Sequence, residues 1–249
     1  MRKATLIRAG LLALLAVAAE LACRTGLIGR FTMIPPSQMV TGLWHLLAQG
    51  ELDGEIGATL LGVASAAFAA VLVGFALGCA LHALPRLRRC LDPVLATYYA
   101  IPIYVLYPMF LVLFGMNRMP IVFIGFMFAV VGMMTSTLNG LDRVPPVLLK
   151  AARVLRMSRV RRTMKIVLPC AAPYVFGGVK LAIAYAFVGV LGAEFILSGS
   201  GLGYQIALAF NNFDNRSMYA LILFVVLVVA SVNSLFFAWE HRLLRRRAR

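Results

Sequence analysis

Residues 149–169 of the chain read LKAARVLRMSRVRRTMKIVLP, and this stretch decides how the rest of the sequence is interpreted. It carries seven basic side chains and no carboxylate, and it lies between two long apolar segments. A basic residue recurs at every third position from Lys150 to Lys165. Since a helix turns by about 100° per residue, such a series winds around a straight helix instead of sharing one face. We therefore predict two short helices with a break near Arg156–Ser158, the second of which ends at Pro169.

The first of these helices carries a small apolar patch to which another protein could bind. Its members are Leu148, Ala151, Ala152 and Leu155. Three other interpretations of the stretch are open: a solvated cytoplasmic loop, a helix lying on the lipid surface, and a segment that binds nucleic acid.

The composition of the whole chain is that of an integral membrane protein. Of its 249 residues, 62% are hydrophobic and only 13% are charged, whereas soluble domains keep about 25% of their residues charged. A helix needs about 20 residues to cross the hydrocarbon, and the sequence predicts an all-α protein with about six spans. They cover residues 6–23, 57–84, 94–115, 119–138, 171–193 and 217–239. Glu20 stands where a lipoprotein-type cleavage site has an aliphatic residue, so we expect the first span to be retained.

The distribution of basic residues over the loops predicts the orientation of the chain. Nineteen of the 24 lysines and arginines lie on the side that holds both termini, four lie on the other side, and Lys180 falls inside a span. The positive-inside rule then places both termini in the cytoplasm. Topology thus explains the net charge of +15, although the basic tail at 241–249 can also touch anionic lipid. Nucleic acid is not expected as a partner.

Small residues form a seam along the second span. Ala66, Ala70, Gly74 and Gly78 recur every four positions, a spacing that lets helices approach closely in lipid. The seam fits either a contact within one helix bundle or a contact between two copies of the chain.

The sequence carries no recognisable nucleotide-binding, ion-binding or catalytic motif. None of its four lysines follows a glycine, as the lysine of a phosphate-binding Walker A loop does. Spans two to four hold no carboxylate, although ion-coupled carriers usually bind a proton or sodium with acidic residues in the membrane. No catalytic or metal-binding constellation is visible inside the spans. A stand-alone pump, an ion-coupled secondary transporter and an intramembrane enzyme are therefore disfavoured, and no cofactor or metal is expected in this chain.

The opening stretch resembles the cytoplasmic signature of ABC-importer permeases, which reads Glu-Ala-Ala, three residues, Gly, nine residues, Ile-x-Leu-Pro. The matching positions are Lys150-Ala151-Ala152, Arg156 and Ile166-Val167-Leu168-Pro169. The spacing is intact, while Lys150 replaces the glutamate and Arg156 replaces the glycine. In that family this loop is the coupling helix that docks into a groove of the ATPase subunit. The resemblance assigns that role to Lys150, Ala151, Ala152, Arg153, Leu155, Arg156, Ile166, Leu168 and Pro169.

Further motifs are similar to those of the nitrate/sulfonate/taurine-type permeases and extend the resemblance over residues 31–240. They are Ile34-Pro35-Pro36-Ser37 before Trp44, Tyr99-Ala100-Ile101-Pro102 with Tyr107-Pro108, Phe114-Gly115, and Gly192-Ala193-Glu194 followed by Gly201-Leu202-Gly203-Tyr204. The resemblance implies a type I ABC-importer permease fold in the bacterial inner membrane. Residues 1–56 would form the first helix and an extracytoplasmic loop, 57–240 the permease domain with its coupling loop at 142–169, and 241–249 a cytoplasmic tail.

The resemblance also implies the partners and the class of solute. Two copies of the chain would enclose the path, two cytoplasmic ATPases would bind ATP and magnesium, and an extracytoplasmic solute-binding protein would deliver the solute. The solute would be a small anion such as a sulfonate, taurine or nitrate. Import of a pyrimidine or a vitamin precursor by the same mechanism is the alternative.

Two charged residues of span five are candidates for the translocation path. A charge at the position of Lys180 costs about 2.5–3.5 kcal/mol, so a functional role is expected. Lys180 could face the pore and attract an anion, or its ammonium could snorkel to the inner interface or meet a helix C-terminus. Glu194, at the outer end of the same span, fits a gate, a contact with the binding protein, or a carboxylate resting at the interface. The motifs add Pro102, Tyr107 and Pro108 to the candidates.

Overall fold

A computed structural model describes residues 2–29, 32–98 and 100–247 of the chain, and within these ranges the protein is helical without any strand. The predicted all-α class is confirmed. Tyr99, part of one motif quoted above, and positions 248 and 249 of the basic tail lie outside the described residues. The helices are α1 (Arg2–Arg24), α2 (Pro36–Gln49), α3 (Asp53–Ala83), α4 (Pro85–Tyr98), α5 (Tyr107–Phe114), α6 (Met119–Asp142), α7 (Pro146–Val154), α8 (Arg159–Arg162), α9 (Leu168–Leu197), α10 (Leu202–Asn211) and α11 (Asn215–Arg247).

Four helical segments of the described residues are long and apolar enough to cross a membrane, two fewer than the sequence predicts. They are α3, α6, the continuous stretch Arg159–Leu197, and Asn215–Phe236 of α11. The predicted third span is a sharply bent pair, α4 followed by a 3-10 turn at Ile103–Leu106 and α5, which makes a fifth if it is counted as one span. The predicted first span is observed as α1, whose 23 residues are enough to cross the hydrocarbon, and its crossing stays a prediction.

Helices α3, α6 and α9 form the core of the protein. Ile124 and Met133 of α6 and Val190 of α9 are completely buried between them. In the apolar window of α6, 56% of the residues are buried, against 11% in that of α11. Helix α6 is therefore the central span, and the outward faces of the bundle are apolar, as lipid or a second membrane-embedded chain requires.

The small-residue seam of α3 is a contact within the bundle. Ala66 and Ala70 are completely buried. A Cβ added at Gly74 would lie 2.7 Å from the carbonyl oxygen of Val130, and one added at Gly78 would lie 2.7 Å from Cβ of Thr137. The backbones of α3 and α6 approach so closely that only glycine fits, which decides between the two interpretations of the seam.

Polar contacts tie the ends of the core helices together and show their relative directions. At one end Nδ1 of His82 in α3 lies 3.0 Å from Oδ1 of Asp142 in α6. A guanidinium nitrogen of Arg88 in α4 lies 2.8 Å from Oδ2 of the same carboxylate. At the opposite end Thr59 of α3 meets Glu194 of α9. Helices α3 and α6 are thus parallel to each other and antiparallel to α9. We call the end with Asp142 inner and the end with Glu194 outer, in the orientation that the charges predict.

Candidate functional sites at the inner and outer ends of the bundle

Helix α7 is an exposed helix at the inner end of the bundle. Of the predicted apolar patch, Leu148, Ala151 and Leu155 are exposed, whereas Ala152 is 1% exposed and packs against the protein itself. Ala152 therefore anchors the helix to the rest of the protein. Unlike the other three members of the predicted patch, it is not exposed for contact with another protein. The neighbouring Val147 and Val154 are exposed at 71% and 83% and enlarge the apolar surface.

The turn that ends α7 explains why the family pattern has a glycine at position 156. Arg156 has a φ of +47°, the left-handed conformation that glycine adopts without cost. The N–H of Met157 donates to the carbonyl of Ala152 at 3.0 Å, and that of Arg156 donates to Arg153 at 3.0 Å. These two bonds form a Schellman motif, in which the left-handed residue is usually glycine. The predicted break near Arg156–Ser158 is confirmed.

The sequence predicts that the second helix of the loop ends at Pro169, and this prediction is wrong. After α8, whose N-terminus is capped by Ser158, a π turn at Thr163–Val167 leads directly into α9, so that one helical rod runs to Leu197. The wider turn precedes Pro169, where the missing N–H and the pyrrolidine ring disturb regular α-helical bonding. Ile166 and Leu168 are half-buried in this rod, and Pro169 is exposed.

The start of the predicted coupling loop, residues 142–169, is fixed to α9. Arg143, the residue after α6, donates a hydrogen bond from a guanidinium nitrogen to the hydroxyl of Tyr174 at 3.0 Å. The guanidinium carbon also lies 5.2 Å from the centre of the same ring, within range of a cation–π contact. The loop thus begins and ends on helices α6 and α9 of the core.

Lys180 lies in the middle of α9 and is half-buried. It lines a small cleft between α9 and α11 together with Asn233. The cleft shares Ile183 and Phe187 with an apolar cavity of about 500 Å³ between α3, α9 and α11. At about 1.5 Å per residue, Lys180 is about 21 Å along the helix from Glu194, so the structure does not bring these two candidates together.

The tyrosines of the bent pair hold the outer end of α9. The hydroxyl of Tyr107 donates to the carbonyl of Leu197 at 2.7 Å, and that of Tyr104 donates to Val188 at 2.9 Å. Pro102 precedes the 3-10 turn, and Pro108 lies in the first turn of α5. The structure therefore brings Tyr107 and Glu194 to the same end of α9. Sequence reasoning missed Tyr104, whose ring lies over Gly192.

Glu194 is completely buried in a polar cluster at this outer end. Its carboxylate accepts hydrogen bonds from Thr59 at 2.7 Å and from the N–H of Gly203 at 3.1 Å, and it forms an ion pair with Arg118 at 2.9 Å. The carboxylate is therefore not exposed at the interface. Sequence reasoning missed Thr59 and Arg118, although a glutamate at a span end needs a partner when it is buried.

The comparison with known families agrees with this arrangement. The sequence profile described as "Binding-protein-dependent transport system inner membrane component" matches residues 70–249. The chain belongs to this family. It is the membrane-spanning permease subunit of an ABC importer, a multi-pass protein of the inner membrane and a transport component whose ATPase is a separate chain.

Individual relatives are similar over most of their length. The bicarbonate transport system permease protein CmpB of Synechococcus elongatus is 31% identical over 212 residues, which are 82% of this chain and 75% of CmpB. The nitrate import permease protein NrtB of Leptolyngbya laminosa is 29% identical, with coverage of 80% and 75%. The taurine transport system permease protein TauC of Escherichia coli is 28% identical, with coverage of 72% and 67%.

The fold is also that of a solved importer. A chain of the MetNI methionine ABC transporter superposes with a TM-score of 0.63 at 17% identity, covering 86% of this permease and 99% of that chain.

Proposed function

We propose that this permease imports a small anion such as a sulfonate, taurine or nitrate. The relatives named for nitrate, bicarbonate and taurine support the proposal because all three solutes are small and carry an anionic oxygen group. Lys180 lines a cleft that adjoins the cavity between α3, α9 and α11, and its charge there would border the path. Tyr107 and Glu194, with Pro102 and Pro108 close to the tyrosine in sequence, would border the outer gate.

The assembly that we propose contains two copies of the permease, two ATPases at the inner end and a solute-binding protein at the outer end. The apolar outer surface of α11 supports a membrane-embedded partner. ATP and magnesium bind to the ATPases, and the permease needs no cofactor. Both termini lie in the cytoplasm, on the side of the nineteen basic residues.

The observation that carries the coupling role is the exposed α7 with its Schellman turn at Arg156. Leu148, Ala151 and Leu155 offer the ATPase an apolar surface, surrounded by the cations of the loop. Because α8, the π turn and α9 are continuous, a displacement of the loop moves the inner end of a helix that reaches the outer face. The permease thereby converts ATPase closure into a change of access to the path.

Co-purification of the ATPase with permease variants tests this role. Deletion of residues 150–156 should abolish the association while the protein still inserts into the membrane. Lys150→Glu should weaken it at least about tenfold, because the loop is cationic and its partner groove should be acidic. Arg89→Glu is the matched control, since Arg89 is an exposed cation at the same end but outside the loop, and it should bind the ATPase normally. Unchanged binding by the deletion variant, or tighter binding by Lys150→Glu, would contradict the assignment.

A further inference from the structure

The N-terminus of α10 is capped by side chains of other helices. The N–H of Leu202 donates to the hydroxyl oxygen of Thr59 at 2.8 Å, and that of Gly203 donates to the Glu194 carboxylate at 3.1 Å. The N–H of Gly201 donates to Oε2 of Glu55. The first amides of a helix have no partner within the helix, and here three consecutive amides are satisfied by α3 and α9.

The cap is tightly packed, and two of its three acceptor residues are buried. Thr59 is 1% exposed and Glu194 is completely buried. A Cβ at Gly201 would overlap the carboxylate of Glu194, and one at Gly203 would overlap the carbonyl oxygen of Leu191. Gly201 also has a φ of +102°, a conformation that residues with a Cβ rarely adopt. The short loop 198–201 can therefore take this path only because glycine lets α10 approach α9.

Each capping residue of α3 makes two contacts that link different elements. The hydroxyl of Thr59 accepts from Leu202 and donates to Glu194, so it joins α3, α9 and α10. Glu55, one turn earlier, accepts from Gly201 and, at 3.3 Å, from the side-chain amide of Gln205. Since oxygens of the chain itself occupy these amides, the N-terminus of α10 is held in position and is not open to an anionic solute.

We infer that Glu55 and Thr59 are positioning residues for transport. They fix α10 to α3, so that a movement of α9 displaces the loop 198–201 and α10 together with the core helices. The inference rests on the proposed coupling function, in which α9 carries motion from the inner end. Without the cap, α10 can shift independently of α3, and the ATPase would hydrolyse ATP without a matching change at the outer face. Loss of the cap should therefore lower the solute imported per ATP hydrolysed.

Substitutions of Thr59 provide the first test. The variants are reconstituted in liposomes with the ATPase and the binding protein, and uptake of nitrate, bicarbonate or taurine is measured against ATP hydrolysis. Thr59→Val keeps the shape but removes the hydroxyl, leaving a buried amide and a carboxylate short of partners; it should lower uptake per ATP by about fivefold or more. Thr59→Ser keeps the hydroxyl and should stay within about twofold of wild type. Normal uptake per ATP in Thr59→Val would overturn the inference.

Glu55 offers a second pair in case Thr59→Val fails to fold. Glu55→Gln retains an acceptor for Gly201, and Gln205 can rotate its amide to match, so uptake per ATP should be close to wild type. Glu55→Ala retains neither contact and should lower the ratio, whereas equal ratios in the two variants would overturn the inference. In every variant the ATPase should co-purify normally, because its docking surface is at the other end. Co-purification of the ATPase therefore reports on the coupling proposal, and uptake per ATP reports on the cap.

Cross-linking tests whether α10 stays fixed to α3 during transport or separates from it. In a background without the four native cysteines, Glu55→Cys and Gln205→Cys are joined by a short bis-thiosulfonate reagent. Before cross-linking the double variant should show the low uptake per ATP of Glu55→Ala. The cross-link replaces the lost contact between α3 and α10 and should restore the ratio. If cross-linking instead abolishes uptake, α10 must separate from α3 during transport, and the inference is wrong.

Discussion

At the scale of single residues, Arg156 destabilises the turn after α7, because it adopts a backbone conformation that favours glycine. Its left-handed backbone costs about 1–2 kcal/mol for a residue with a side chain, whereas glycine loses about 0.5–1 kcal/mol of conformational freedom on folding. Arg156→Gly should therefore tighten the turn. We expect the amide of Met157, which donates to Ala152, to exchange its hydrogen about threefold more slowly, as measured by hydrogen–deuterium exchange.

Arg153→Gly serves as the matched control for that substitution. Arg153 is also an exposed cation of the loop, but it lies in the last turn of α7 with ordinary helical conformation. Glycine there weakens the helix, so exchange at Met157 should become faster. A change of the same sign in both variants would show that loss of charge, and not backbone conformation, governs the stability of the turn.

Lys180 is the residue on which the proposed solute class can be tested. Lys180→Met keeps an unbranched apolar side chain, one atom shorter, but removes the charge, so uptake of an anionic solute should fall by about tenfold or more. Lys180→Arg keeps the charge and should retain most of the activity. ATPase association should be normal in both variants. Uptake by Lys180→Met at the wild-type rate would remove Lys180 from the path.

At the scale of elements, the sequence predicts best what depends on local pattern. The break in the coupling loop follows from the period of its cations, and the close approach of α3 to α6 follows from the spacing of Gly74 and Gly78. The prediction that the second helix of the loop ends at Pro169 is wrong, because the helix continues through this proline into α9. A proline near the start of a span is tolerated when a wider turn precedes it, as the π turn does here.

The outer cluster could be predicted only in part, because its contacts join distant parts of the sequence. Glu194 stands out in an apolar span, but Thr59 is 135 positions away from it and Arg118 is 76 positions away. Neither residue belongs to a local motif, and both acquire their roles only when α3, α6 and α9 pack together. Glu55 precedes the predicted second span and belongs to none of the motifs, although it caps α10.

At the scale of the whole molecule, the two candidate sites lie at opposite ends of one helical rod. The stretch Arg159–Leu197 has 39 residues, which at about 1.5 Å per residue is about 58 Å long. Its inner end carries the coupling loop, and its outer end carries Glu194. A rod of this length exceeds the hydrocarbon thickness of about 30 Å, so both of its ends reach beyond the apolar layer.

The orientation of this rod gives the last prediction. Val154 of α7 and Met116 before α6 are exposed at 83% and 96% and lie at opposite ends of the bundle. Each is replaced by cysteine in a background without native cysteines, and a membrane-impermeant maleimide is added to vesicles of known sidedness. Since the nineteen basic residues lie on the side of α7, Val154→Cys should react only in inside-out vesicles and Met116→Cys only in right-side-out vesicles. The reverse pattern would place the coupling loop outside the cell, where no ATP-hydrolysing partner could drive it.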